Sequence, residues 1–201
     1  EEIETTGTIA LCKWDRLMVT SPRALQRGYP WMDTISHESV HLFLARASND
    51  RAPVWLQEGV AKFLEQRWRD ETPGSHLDEA SEALLQDALR CPGTPAAPRC
   101  VRAAATGVAQ LLPFARLHPS IARLDSQGQA ALAFAQVATF VEIFYQEHGR
   151  SGLQRAIRQT ATGTDAREAL AAVAGLPFEQ LEQRWRESLL SRPRPDGAPP
   201  H

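Results

Sequence analysis

The run Thr34-Ile35-Ser36-His37-Glu38-Ser39-Val40-His41-Leu42-Phe43-Leu44 narrows the choices for this chain more than any other stretch. Its apolar positions suit a buried helix. At 3.6 residues per turn His37 and His41 then lie one above the other on one face, the spacing at which two imidazoles grip a single ion. Glu38 falls about 100° round from His37. That offset makes it a poor third ligand but sets it beside the open coordination position, where it can accept a proton from water. The geometry implies metal-assisted hydrolysis. Five residues of this kind also arise by chance, and a helix can carry two histidines for packing alone.

The next run, Pro53-Val54-Trp55-Leu56-Gln57-Glu58-Gly59-Val60-Ala61-Lys62-Phe63-Leu64-Glu65, weighs against chance. A catalytic zinc needs three protein ligands and a vacancy, and a carboxylate on a second helix packed against the first completes a His₂Glu set. Glu58 is the natural candidate. Glu65 shares its helix face at i+7 and is either a competitor for the metal or an acceptor bonded to one of its ligands. Lys62 reads as a surface ion-pair partner four residues after Glu58.

Trp55-Leu56-Gln57-Glu58-Gly59-Val60-Ala61 resembles, position by position, the Trp-Leu-x-Glu-Gly-x-Ala pattern of the gluzincin metallopeptidases. In that family the Glu is the third zinc ligand. The segment from Ala133 to Val141 is similar to a peptidase-MA-like pattern, Ala-Tyr-x-Gln-x-x-x-Phe-Val, except that Phe134 stands where the family has Tyr. If that Tyr helps to hold an oxyanion, its loss weakens catalysis. The resemblance spans residues 8 to 190. It implies an α+β, mostly helical, zincin-like domain with a small N-terminal β-hairpin. It also implies a Zn²⁺ cofactor on His37, His41 and Glu58, and Glu38 as general base in peptide-bond hydrolysis. With no Gly-x-Met-Glu-Asn-like exopeptidase segment, an endopeptidase acting on peptide or protein substrates is favoured. Two alternatives stand: a zinc-containing binding module or pseudo-peptidase without turnover, and a helical domain whose histidines are incidental.

Length and composition set the frame. A chain of 201 residues with 43% hydrophobic content buries a real core in one domain. A net charge of −2 and a pI near 6.3 argue against nucleic-acid partners. No apolar run reaches the ~18 residues of a membrane span. Three cysteines are too few for a Cys-based metal site. Cys91 and Cys100 bracket a Pro-rich loop, which reads either as a disulfide-closed excursion in an oxidising, extracytoplasmic compartment or as two unpaired thiols in a reducing one. Glu1 in place of Met suggests a trimmed or mature product.

In chain order, a polar remnant (1–7) precedes a hairpin over 8–20 that turns at Trp14-Asp15-Arg16. The motif helix is capped by Asp33 or Thr34 and runs to Ala47, and a second helix spans Val54 to Arg69. A third helix covers Ser75 to Arg90. Residues 101–128 read as irregular, with Leu111, Leu112, Phe114 and Leu117 lining a cleft and His118 exposed. Helices follow over Gln129–His148, Leu153–Thr160 and Ala166–Ala174, and Pro177 opens the last. The single domain covers 8–190, and the Pro-rich tail 191–201 reads as disordered.

Overall fold

A computed structural model describes residues 10–13, 16–69, 74–92, 97–117 and 119–192, and the chain over that range is mostly helical with one two-stranded hairpin. The polar remnant, Trp14 and Asp15 of the expected turn, His118 and all of the tail past Arg192 lie outside the described residues, whereas Arg16, expected in the turn, opens the second strand. Strands β1 (Ala10–Lys13) and β2 (Arg16–Val19) pair antiparallel in the register Ala10↔Val19 to Lys13↔Arg16, and both pack on the first helix.

That helix, α1 (Trp31–Ser48), begins two residues ahead of the expected Asp33 cap. Asp33 lies inside the first turn, where its charge still complements the helix N-terminus. Its side chain is taken up elsewhere: Arg69 Nη2 reaches both of its oxygens, at 2.8 and 2.6 Å, and Trp68 Nε1 donates to it at 2.7 Å. Asn49 ends α1 in the left-handed region, with Asp50 following it there, so the chain reverses within a few residues.

Helix α2 (Val54–Leu64) is shorter than expected, and a separate 3₁₀ turn at Arg67–Arg69 carries the two groups that clamp Asp33. Helix α3 (Glu79–Arg90) starts four residues later than expected. Asp78 caps it by accepting from Ser81 N at 2.7 Å, whereas Ser75 donates to Glu142 Oε2 at 2.8 Å. Cys91, just past α3, is bonded to Cys100 in α4 (Pro98–Ala105), a helix absent from the sequence-based expectation. Proline at its first turn explains the start.

Helix α5 (Gln127–Thr160) continues past the expected stop, but Gly149 breaks it with a positive φ of 65°, so two helical pieces meet at the glycine. Helices α6 (Ala166–Ala174) and α7 (Phe178–Ser191) fall where the Gly175 and Pro177 signals put them. Trp55, Phe114, Phe140, Phe178 and Trp185 form one aromatic cluster, mostly edge to face, with Phe114 and Phe140 centroids 5.1 Å apart.

Leu112, Phe114 and Leu117 are therefore core residues, not the walls of a cleft. The buried amide of Gln136 accounts for this. It accepts from Leu112 N at 3.0 Å and donates to Leu112 O at 2.7 Å, folding the irregular segment down over α5. Among the described residues no helix is long and apolar enough to cross a membrane.

Candidate metal centre

The second motif decodes residue by residue once α2 is seen against α5. Trp55, Leu56 and Ala61 point into the core. Gly59 lies where the backbones come closest: a Cβ there would sit 2.7 Å from Val137 O and 2.9 Å from Val141 Cγ2. A side chain at this position would push α2 away from α5. Glu58, on the remaining face, is directed at α1.

There it meets both histidines. Glu58 Oε2 lies 3.2 Å from His37 Nε2 and 3.6 Å from His41 Nε2, and the two Nε2 atoms are 3.2 Å apart. These are the only three His, Cys, Asp or Glu side chains among the described residues whose donor atoms converge in a group fit for an ion. The donor chemistry fits zinc. Tetrahedral bonds of about 2.0–2.2 Å separate neighbouring ligand atoms by about 3.3–3.6 Å, close to all three distances.

The second carboxylate of α2 serves the opposite side of the ring. Glu65 Oε2 sits 3.3 Å from His37 Nδ1, and Lys62 Nζ donates to Glu65 Oε1 at 2.6 Å. In the neutral ring that ligation requires, Nδ1–H donating to Glu65 would leave the Nε2 lone pair facing Glu58 and His41, so Glu65 is placed to set that tautomer and orientation. Lys62 pairs with Glu65, not with Glu58 as its spacing suggested. A further bond from Ser36 Oγ to Leu64 O, 3.3 Å, ties the two helices beside the cluster.

Electrostatics follow the geometry. Burial disfavours charge on His37, but hydrogen bonds and charges from Glu58 and Glu65 outweigh it and hold the imidazole at about 9. For Glu58 burial again opposes ionisation and loses to His37 and His41, leaving the carboxyl at about 2. Glu65 is lowered too, against burial, by His37 and Lys62. The two carboxylates thus stabilise positive charge on His37.

Glu38 is half-buried on α1 directly after His37, and its carboxylate has no hydrogen-bond or ion-pair partner among the described residues. Phe134 is half-buried and packs against the core. Tyr145 packs its ring against Phe63, and His148 packs against Phe144. Sequence reasoning missed Ser36 and the Asp33–Arg69 pair, whose partners are 28 and 36 residues distant and leave no local signal. The chain matches no family model, no curated protein and no solved structure.

Proposed function

We propose that this chain is a zinc-dependent peptidase of zincin-like fold, related to the gluzincins, that cleaves internal peptide bonds. The observation that carries the reading is the convergence of His37 Nε2, His41 Nε2 and Glu58 Oε2 at separations of 3.2 to 3.6 Å. A zinc ion held by these residues supplies a Lewis acid that polarises the carbonyl and acidifies water. Glu38 accepts the proton of the attacking water and passes it to the leaving amine. Glu65, braced by Lys62, keeps His37 in the ligating tautomer. The Cys91–Cys100 bond supports an extracytoplasmic setting, where disulfides persist.

A second reading is a zinc-holding binding module without turnover, favoured by Phe134, which has no hydroxyl to offer an oxyanion. Zinc-loaded protein incubated with a generic peptide library separates the two. The peptidase reading expects internal cleavage that Glu38→Gln abolishes while the metal stays bound. No cleavage by the wild-type protein supports the binding module, and cleavage unaltered in Glu38→Gln removes the proposed mechanism.

A further inference from the structure

A cavity of about 530 Å³ opens between α1, α2 and the part of α5 around and beyond Gly149. Its floor is apolar, built from Val40, Leu44, Val60, Phe63, Leu153 and Ile157. Val40, Phe43, Leu44 and Ala47 follow one another at i, i+3, i+4 and i+7, a stripe of α1 centred roughly 90° round from His37 and His41 and adjoining them at Leu44, and neither histidine is among the lining residues. The ring of Phe43 stands at the mouth, 65% exposed. A packed core does not leave such a hollow, and its volume lies within the ~300–1,000 Å³ of small-molecule sites.

The rim has one sign of charge. Arg67, Arg150 and Arg158 line it, and among the described residues none that lines it is acidic, although the chain as a whole carries a net charge of −2. Arg150 and Arg158 are both exposed, with guanidinium groups suited to a carboxylate. An apolar floor under a cationic rim is complementary to an amphiphile with one apolar chain and an anionic end.

We propose that this cavity binds a single-chain fatty acid, the acyl chain on the Val40, Phe63 and Ile157 floor and the carboxylate on Arg150 and Arg158. The site uses none of the metal-centre residues, and its test reads binding without any hydrolysis.

Titration calorimetry of the full chain with dodecanoate, kept below its micelle concentration, is the experiment. The expected result is saturable binding of one molecule per chain. Joint Arg150→Glu and Arg158→Glu substitution, at exposed positions that leave the core intact, weakens it by roughly tenfold or more, as two lost pairings and a reversed rim imply. Ala47→Trp, at the exposed mouth, removes it, and dodecyltrimethylammonium binds far more weakly. Absence of saturable binding, equal affinity for the cationic amphiphile, or indifference to the arginine reversals overturns the proposal. So does a concentration-dependent dimer in sedimentation that Phe43→Ser dissolves, since the hollow would then belong to an interface between two copies.

Discussion

Helices α1 and α5 are the two longest among the described residues, and they are built on opposite principles. Of the 18 residues of α1 only Leu44 and Ser48 are fully buried, whereas 17 of the 34 in α5 are. Helix α1 is held largely by polar ties: Asp33 to Arg69 and Trp68, Ser36 to Leu64 O, and His37 to Glu58 and Glu65. Helix α5 is held by packing, through Val137 and Val141 against Gly59 and through Phe140 in the aromatic cluster. Burial is concentrated on one helix and the candidate histidine ligands on the other, with α2 joining them. Substitutions should therefore separate cleanly into those that unfold the protein and those that empty its site.

The largest stability effect belongs to α5. Phe140→Ala removes a ring that touches Trp55, Phe114, Phe178 and Trp185, and should cost about 3–5 kcal/mol in denaturant unfolding. Metal bound per folded molecule should be unchanged, and a loss of affinity in the folded fraction would break the division between the helices.

Next comes the covalent tie between α3 and α4. Opening Cys91–Cys100 releases a short loop, worth about 2–3 kcal/mol by chain entropy, and should lower the melting temperature without altering metal content. Unreduced protein should titrate with one thiol, that of Cys12. Three thiols would withdraw the disulfide and the support it lends to an extracytoplasmic setting.

The smallest effect sharpens the comparison on a third helix, α3. Asp78→Ala removes the α3 cap and should cost about 1 kcal/mol at neutral pH. The backbone N–H of Ser81 lowers the Asp78 pKa, so the capping contribution is complete above the unfolded aspartate value of about 3.9. It is lost as the pH falls through the lower folded value. Wild-type and Asp78→Ala stabilities, compared by urea unfolding from pH 7 downward, should therefore converge in acid.

The same contrast explains what the sequence disclosed. Ligand chemistry demands particular residue types at particular spacings, so His37, His41 and, with Glu65 as its competitor, Glu58 stood out as candidates, and the structure brings the donor atoms of His37, His41 and Glu58 together. Continuous apolar sequence exposed α5, and Gly175 and Pro177 marked the ends of α6 and α7. What stayed hidden depends on distant partners. Nothing local says that Asp33 pairs with Arg69 instead of capping α1, or that Lys62 chooses Glu65 over Glu58. Phe114 looked like a cleft residue because its segment has no period. The Gln136 amide, 24 residues beyond Leu112, and the distant rings around Phe114 hold that segment in the core.

The most direct test of the metal centre is zinc stoichiometry by native mass spectrometry on wild-type protein and four single variants, each first checked for wild-type circular dichroism. One zinc per chain is expected in the wild type and in Glu38→Gln, with strong loss in His37→Ala, His41→Ala and Glu58→Gln. Full zinc in Glu58→Gln, or no zinc in the wild-type chain at any concentration, would contradict the assignment of these three side chains as a metal centre.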